Sequence, residues 1–464
     1  MGRKNNKKSP SNDEIETKEI LEFGIKVLVN YDSSSPSTKS SFYNDKMQYN
    51  RLLSLICLRT LRNTLEYNGK LKCLDAFSAT GISGMLWNKY VDNVEVTMND
   101  IKEDSISSIK TNCILNNVQF VENEKTIDDN AVIITQQDAN VLMHSKQYHF
   151  VHLDPFGCPV HFLEAACRNT YNKGIIVVTA TDIAALFGNA PSVLLRNYQA
   201  TTFKCDYIKE LGVRILIGAI CRTLARCNKG VRILYSVAVG HFIQVAVQVL
   251  RGALKADNSL TNVKRVIHCS FCQQWTIHPE SHHPPENPYK LLDCPCYQDS
   301  SAKMGVEIGP MWVGSIHNQA FLKSFISNSN DLKKTLPIDD DFMHLTKVLL
   351  LESVCPDTNK KEDELFSEET NKGDISTGKR EREETVDNSS TAPMFYLNLH
   401  KLNLKDMNLP RSRKIVELLR SANYQACKTH FCDRSIRTNA TYPVIKELIG
   451  HHFYHNENMH IDFL

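Results

Sequence analysis

The stretch "LDAFSATGISG", residues 74–84, marks a turn between a buried strand and a helix. The apolar residues before Asp75 are typical of a β-strand. Gly81 and Gly84 allow a tight turn whose backbone N–H groups can approach a ligand before the helix begins. The glycine spacing differs from the GxGxxG of dinucleotide-binding sites. An ordinary glycine-containing β–α turn is the alternative interpretation.

Outward from this turn, apolar runs alternate with helical stretches, which predicts a parallel sheet covered by helices on both faces. The five runs span residues 73–77, 94–98, 132–134, 150–153 and 175–179. A helical pattern over 206–226 follows. Two β-rich runs, 233–239 and 242–250, are then joined by Gly240 and His241 alone, as in a hairpin.

This order of elements predicts the fold class. Five parallel strands closed by an antiparallel pair are typical of class I S-adenosylmethionine (SAM)-dependent methyltransferases, which have a Rossmann-like, seven-stranded sheet. A dinucleotide dehydrogenase usually continues with a sixth parallel strand instead. We therefore expect an α/β methyltransferase domain over residues 16–250, after a disordered basic tail over 1–15.

The second half of the chain divides by composition. Residues 251–355 contain four close cysteines and are expected to form a zinc-containing subdomain. Residues 356–392 are charged and poor in large apolar groups, which predicts a disordered linker. Apolar periodicity returns over 393–464, where we expect a small, separate α+β domain.

Composition and charge exclude several classes of protein. The chain has 464 residues, with 54 Lys and Arg against 52 Asp and Glu, so nucleic-acid binding must come from local patches. No run reaches the roughly 18 apolar residues that span a bilayer, and residues 1–10 lack the apolar core of a signal peptide. We therefore expect an intracellular protein without membrane contact, and no obligate protein partner is implied.

Acidic residues follow the first three predicted strands. They are Asp75, Asp100 and Asp138. Ligands of open α/β sheets bind at the carboxyl ends of the strands. There Asp100 could accept both ribose hydroxyls of an adenosyl group, and Asp138 could lie near the adenine. Taken singly, each acid could equally be a solvated turn residue or a helix cap.

The fourth run ends in "HLDPFG", residues 152–157. Methyltransferases that modify exocyclic amines carry Asp or Asn, then Pro, then an aromatic residue at this place. An aryl amine is a weak nucleophile, so an acceptor such as Asp154 would orient its N–H and take the proton, while Phe156 stacks on the base. Pro155 would fix the backbone so that the preceding carbonyl also faces the amine. An Asp-Pro turn that caps the next helix is the alternative.

Four of the 15 cysteines form two close pairs, Cys269-x-x-Cys272 and Cys294-x-Cys296. Four thiolates suit tetrahedral Zn²⁺ and leave no open coordination position, which predicts a structural metal. The alternatives are free thiols or a ligand set that includes His268.

Seven motifs occur in the order seen in the tRNA (guanine-26 N2) dimethyltransferases, and over roughly residues 20–325 the chain resembles that family. The motifs are "FYNDKMQYNR", "LDAFSATGISG", "VTMND", "DANVLM", "HLDPFG", "VTATDIAALFG" and "RILIGAICRTLAR". "RCNKG" and "HCSFC…CPCY" are closer to the animal paralogue branch, which is associated with guanine 27. The resemblance implies a SAM-dependent enzyme of the nucleus or nucleolus that adds one or two methyl groups to the N2 amine of guanosine 26 or 27 in tRNA.

A weaker C-terminal match covers "ANYQACKTHFCDRSIRTNA", residues 422–440. The segment "KLNLKDMNLPRSRK", residues 401–414, is basic. We expect this domain to contact tRNA phosphates, although an ordinary solvated surface would have the same composition.

The resemblance also implies roles for individual residues. Asp154 would accept from the guanine amine with Phe156 and Pro155 beside it, and Phe42 would help to enclose the base. The residues expected at the cofactor are Arg51 at the SAM carboxylate, Asp75 and Gly81 at the turn, and Asp100, Asp138 and Ala139 at ribose and adenine.

Two departures from the family pattern support an alternative function. Ser83 stands where the founding enzymes have an arginine, and Asp45 stands where a proline is usual. A catalytically silent RNA-binding or scaffold protein would tolerate both changes. Methylation of an exocyclic amine in DNA or protein is a third interpretation.

Overall fold

The computed structural model of the chain describes residues 16–31, 43–122, 130–279, 287–294, 296, 305–367, 392–402 and 409–458. The strands are β1 (Glu16–Glu22), β2 (Ile25–Tyr31), β3 (Leu71–Asp75), β4 (Val94–Asp100), β5 (Phe120–Val121), β6 (Val132–Gln136), β7 (Tyr148–Leu153), β8 (Thr170–Ala180), β9 (Lys229–Val239), β10 (Phe242–Arg251), β11 (Val263–Cys269), β12 (Trp275–Ile277), β13 (Gly305–Trp312), β14 (Tyr396–Asn398), β15 (Ala426–Lys428) and β16 (Ser435–Thr438).

The α-helices alternate with the strands in the first half of the chain and cluster in the second. They are α1 (Gln48–Thr64), α2 (Ile82–Tyr90), α3 (Glu103–Leu115), α4 (Ala139–Ser145), α5 (Val160–Asn169), α6 (Ile183–Leu186), α7 (Pro191–Tyr198), α8 (Ile208–Arg226), α9 (Ala253–Leu260), α10 (Gln319–Lys333), α11 (Asp340–Val354), α12 (Asn359–Ser367), α13 (Ser412–Ser421) and α14 (Tyr442–Asn458). None of these helices is both long and apolar enough, over its described residues, to cross a membrane.

The central sheet has the strand order β5-β6-β4-β3-β7-β8-β10-β9. The strands from β5 to β8 run parallel, and β10 is antiparallel to both of its neighbours. The predicted fold class, with five parallel strands closed by an antiparallel pair, is confirmed. A further strand, β5, extends the edge beyond β6 and was not predicted, because two residues are too short to show a period-2 pattern.

Hydrophobic cores fill both faces of the central sheet. Phe150 of β7 packs with Trp87 in the core under α1, α2 and α3, and the next residue, Val151, packs in the core under α4, α5 and α8. This alternation follows from the pleat of a strand. Every residue of α8 from 210 to 221 is buried, because β9 covers one side of the helix and β13 covers the other.

An N-terminal hairpin, β1 and β2, packs against α3. The amide of Asn116 accepts from the backbone N of Lys26 (2.9 Å) and donates to its carbonyl (2.7 Å). Asn112 accepts from the backbone N of Leu28 (2.9 Å). Because these bonds fix β2, and β2 pairs with β1 along its whole length, the position of the hairpin is set by the methyltransferase-like sheet and its helices.

The C-terminal region has its own three-stranded sheet, β14-β16-β15, covered by α13 and α14. The prediction of a separate domain is nevertheless wrong in one respect. Phe395, Tyr396 and Phe431 are buried in the core that also contains α8, so the two parts share apolar packing. The predicted linker is also helical at its start. In α12, Glu362 binds Arg420 and Leu365 is buried, and such tertiary contacts do not show in composition. Residues 1–15 and 368–391 lie outside the described part of the chain.

A buried charge cluster joins the two parts: Glu210 and Arg214 of α8, Glu352 of α11 and Arg437 of β16. Arg437 donates to both Glu210 oxygens (3.1 and 3.0 Å) and to Glu352 (3.0 Å), and Arg214 donates to Glu210 (2.9 Å). All four side chains are at most 3% exposed. The two cations and two anions compensate each other, which a charge inside a protein requires.

Candidate active site

The carboxyl ends of β6, β4, β3 and β7 lie side by side at one edge of the central sheet, because these neighbouring strands run parallel. The four acids that follow or end these strands therefore come together there, as predicted. They are Asp138, Asp100, Asp75 and Asp154. Phe42, which was predicted to enclose the base, lies outside the described residues.

The glycine turn between β3 and α2 is held by Asp100. One oxygen of Asp100 accepts from the backbone N of Ala79 (3.0 Å), and the other accepts from the backbone N of Lys102 (3.0 Å). Gly81 has φ +80°, a conformation that glycine adopts without strain. A Cβ on Gly84 would lie 2.4 Å from Met98 of β4, so only glycine lets α2 approach the sheet this closely. Ser83, one of the two residues between these glycines, is buried in the first turn of α2.

Asp138 caps α4. Its Oδ1 accepts from the backbone N of Asn140 (2.8 Å) and of Val141 (3.3 Å), while Ala139 lies buried beneath. The helix-cap interpretation of this acid is therefore confirmed. A contact with adenine stays a prediction, since the cap uses one oxygen and leaves the other at the edge of the sheet.

Asn99 ties the strand ends together and was missed in the sequence. Its amide donates to the carbonyls of Ala76 and Gln137 (3.2 and 3.1 Å), and its oxygen accepts from the Thr135 hydroxyl (2.9 Å) and the Gln137 backbone N (3.1 Å). All its hydrogen-bonding groups are thus paired, which fixes the ends of β3, β4 and β6 relative to one another. The only signal was an amide in a buried strand position.

The turn after β7 presents Asp154 and Phe156. Gly157 accepts from Thr181 N (3.0 Å) and donates to the Thr181 hydroxyl (2.8 Å), so the turn is fastened to the end of β8. Pro155 is buried, and Phe156 is 71% exposed. Helix α5 begins at Val160 without a side-chain cap, so the helix-capping interpretation of Asp154 is wrong.

Asp154 has perturbed acid–base chemistry. The pKa of its carboxyl group is raised to about 6, chiefly by desolvation and to a smaller extent by Asp75, while His152 and Arg51 act in the opposite direction. A carboxylate of this basicity can both accept a hydrogen bond and take up a proton near neutral pH.

His152 was not predicted as part of the site. Its Nδ1 lies 3.3 Å from Oδ1 of Asp75, and both side chains are almost completely buried. Strands β3 and β7 pair so that Asp75 is opposite His152, which explains the contact. The two residues are 77 positions apart, so only the topology brings them together.

Arg51 is buried at the start of α1, beside Tyr43 and Glu22. The two nitrogens Nε and Nη2 of Arg51 each lie 2.6 Å from a Glu22 oxygen. The Tyr43 hydroxyl donates to the same carboxylate (2.7 Å). Burial, followed by this hydrogen bond, raises the pKa of Tyr43 to about 12. Sequence reasoning found Arg51 and missed Glu22, whose strand is 29 residues away.

For the methyl transfer that the family resemblance implies, we predict a rate that falls with acidification as Asp154 becomes protonated. Because only the carboxylate can accept the amine proton, kcat/KM should be nearly constant above pH 7 and fall about tenfold per pH unit below pH 6. The measurement is a pH profile of methylation from pH 5 to 8 in buffers of constant ionic strength. A flat profile over that range would contradict this role for Asp154.

The four predicted cysteines converge. The Sγ atoms of Cys269, Cys272, Cys294 and Cys296 all lie within 4.8 Å of one another. Burial raises the pKa of the Cys269 thiol, but hydrogen bonds, first from the backbone N–H groups of Cys272 and Phe271, outweigh it, so the pKa lies below its usual value. The pKa values of Cys272 and Cys294 are raised instead, chiefly by burial, so the support for a metal site is the convergence of the four thiols.

His268 is not part of this cluster. Its Nδ1 lies 2.5 Å from the Tyr207 hydroxyl, and its ring packs against Phe203. The alternative ligand set with His268 is therefore wrong. Four thiols remain, which suit a closed tetrahedral site.

Comparisons with known proteins identify relatives of the chain. The sequence profile described as N2,N2-dimethylguanosine tRNA methyltransferase matches residues 24–357 and 371–450. The tRNA (guanine(27)-N(2))-dimethyltransferase of Rattus norvegicus is 37% identical over 92% of this chain. This chain spans 62% of the length of that relative. The tRNA (guanine(26)-N(2))-dimethyltransferase of Methanobrevibacter smithii is 27% identical over 94% of this chain and 98% of its own.

A solved structure extends the comparison to the whole fold. The structure of Trm1 from Pyrococcus horikoshii with S-adenosyl-L-methionine superposes with a TM-score of 0.71 at 26% identity, and covers 93% of this chain and 99% of that chain. Both the sequence profile and the fold extend through the central sheet, the cysteine cluster and the C-terminal region. The chain therefore belongs to the N2,N2-dimethylguanosine tRNA methyltransferase family.

Proposed function

We propose that the protein transfers methyl groups from SAM to the N2 amine of a guanosine in tRNA. The observation that carries the proposal is the turn after β7, where a carboxyl group with a raised pKa, Asp154, lies beside an exposed ring, Phe156. The glycine turn and Asp100 lie at the same edge of the sheet, where a nucleoside cofactor binds in open α/β folds.

Asp154, Phe156 and Asp100 have separate roles in the proposed reaction. SAM, when bound, supplies a methyl group on a positively charged sulfonium. Asp154 accepts a hydrogen bond from the N2 amine, holds its lone pair in line and takes the proton as the new bond forms. Phe156 stacks on the guanine, which must leave its own stack in the tRNA to reach the turn. Asp100 keeps carboxylate lone pairs for the ribose hydroxyls while it holds the glycine turn.

Position 27 is the first target to test. The support is the higher identity to the guanine-27 relatives, 37% against 27% for the archaeal guanine-26 relative. Both positions lie where the D and anticodon stems meet, so the two enzymes would read nearly the same tRNA surface.

The direct test is methylation of purified tRNA transcripts by the purified protein with SAM. Nucleosides from the reaction are analysed by mass spectrometry, with transcripts in which guanine 26 or 27 is replaced by adenine as matched controls. We expect N2-methylguanosine or N2,N2-dimethylguanosine that disappears with one of the two replacements. No methylated guanosine in any tRNA, together with no SAM binding by calorimetry, would overturn the proposal in favour of the catalytically silent alternative.

We also propose that the cysteine cluster holds one structural zinc ion, because four thiols converge there and no His, Asp or Glu of the described residues joins them. Cys294→Ser should lower the zinc content from about one ion per chain to a small fraction, and should lower the melting temperature. Metal content is measured by plasma mass spectrometry on the purified variants. Cys227→Ser, at a half-buried cysteine elsewhere, is the control. Equal zinc in Cys294→Ser and the parent protein would contradict the assignment.

Finally, we propose that the protein acts in the nucleus or nucleolus. The support is the family resemblance and the tract "KREREE", residues 379–384, which could be a weak nuclear-import signal or an ordinary mixed-charge linker and lies outside the described residues. Imaging of the tagged full chain in cells tests it, with Lys and Arg of that tract changed to Gln as the comparison. Signal confined to the cytoplasm would contradict it.

A further inference from the structure

Glu22 holds Arg51 in a single orientation. The Glu22 carboxylate meets the Nε and Nη2 edge of the guanidinium with two bonds of 2.6 Å, which is the bidentate geometry that fits these two groups best. Both side chains are buried, at 1% and 8% exposure. Inside a protein such a pair is much less screened than at the surface, so the guanidinium cannot rotate without leaving both charges uncompensated.

The donors of Arg51 can be counted one by one. A guanidinium has five N–H groups. Glu22 takes the one on Nε and one on Nη2, and the carbonyl of Asn44 takes the other on Nη2 (3.1 Å). No described residue accepts from Nη1, which leaves its two N–H groups for a ligand. The start of α1 lies at the carboxyl edge of the sheet, because Asn50, the neighbour of Arg51, donates to the Thr179 hydroxyl near the end of β8 (2.7 Å). The Arg51 charge also lowers the pKa of Asp154 at that edge.

The carboxylate of Glu22 is itself fixed from other directions. The Tyr43 hydroxyl donates to Oε2, and the Tyr43 ring lies 5.1 Å from the guanidinium carbon of Arg51. Glu22 ends β1, and the hairpin is bonded to α3 through Asn112 and Asn116. Its position therefore does not depend on what binds at the sheet edge.

We propose that Glu22 is a positioning residue of the cofactor site, which turns Nη1 of Arg51 toward the carboxylate of SAM. This inference rests on the proposed function. Glu22 occupies the Nε and Nη2 edge of Arg51 and leaves Nη1 without an acceptor among the described residues, so it does not use the donors that we assign to SAM. The N-terminal hairpin thus contributes to cofactor binding without touching the cofactor.

The test is SAM affinity, measured by calorimetry on the full chain. Glu22→Gln keeps the shape and removes the charge, and we expect SAM to bind about tenfold to a hundredfold more weakly. Methylthioadenosine, which lacks the amino-acid part of SAM, should bind the variant and the parent protein equally. Arg51→Lys should lose a similar factor for SAM, and Glu22→Gln combined with Arg51→Lys should lose no more than about twofold beyond Arg51→Lys alone, because both act through one contact.

Two further variants guard against a folding defect. Glu22→Asp keeps the charge on a shorter arm and should give an intermediate loss. Glu164→Gln removes a carboxylate from an exposed ion pair with Arg168 and should leave SAM affinity unchanged. Unchanged or tighter SAM binding by Glu22→Gln, equal loss for methylthioadenosine, or additive losses in the double variant would each overturn the positioning role. A parent protein that binds no SAM would instead overturn the proposed function.

Discussion

Asp154→Ala is expected to lower kcat/KM for tRNA methylation by about 10²- to 10⁴-fold, the range that a positioned general base contributes. The variant removes the carboxylate acceptor that follows β7 at the sheet edge and leaves Pro155 and Phe156 in place. Asp154→Asn separates two roles, because its amide oxygen can still orient the amine but cannot take the proton. We expect Asn to retain more activity than Ala and to lose the acid limb of the pH profile.

Phe156→Ala provides the contrast to these variants. A base stacked on an aromatic ring gains about 1–3 kcal/mol, so the KM for tRNA should rise by about five- to a hundredfold with a smaller change in kcat. Because Phe156 is 71% exposed, the variant should remain as stable as the parent protein. Initial rates over a tRNA concentration series give both constants.

Normal methylation by Asp154→Ala would place the site elsewhere.

Arg437→Met is expected to lower the free energy of unfolding by about 3–5 kcal/mol, because it leaves buried Glu352 without its arginine and buried Glu210 with Arg214 alone. Urea denaturation followed by tryptophan fluorescence measures the change. Arg413→Met removes an exposed partner of Glu417 and is the matched control, with an expected change within about 0.5 kcal/mol. A loss below about 1 kcal/mol for Arg437→Met would show that the buried charge cluster does not hold the C-terminal region in place.

The central sheet and its acidic edge could be predicted because their signals are local. Apolar runs and helical periods predict each element, and the rule that ligands bind at the carboxyl ends of parallel strands brings Asp75, Asp100 and Asp138 to one edge. The turn at Asp154 could be predicted in the same way, because it follows the next predicted strand of the same sheet.

The contacts that were missed depend on distant partners. Glu22 is 29 residues from Arg51, His152 is 77 residues from Asp75, and Arg437 is 227 residues from Glu210. Composition alone also gave the wrong answer for α12, since Arg420 of α13 binds Asn359 and Glu362 of that helix. Such pairs depend on how distant helices and strands pack together. The pattern of residues within one segment gives no information about that packing.

The buried charge cluster also fixes the distance between the C-terminal region and the candidate active site. Its four charges balance only when α8, α11 and β16 are together, so surfaces carried by that region stand at a constant offset from Asp154. In the proposed reaction, a tRNA bound by these surfaces would place one nucleotide at Asp154. That nucleotide would be selected by its distance from the bound surface and not by the neighbouring nucleotides in the tRNA sequence. The distance between the tRNA-binding surface of the C-terminal region and the turn at Asp154 would then decide which of two adjacent guanines is modified. A change in that distance would shift the modified position by whole nucleotides.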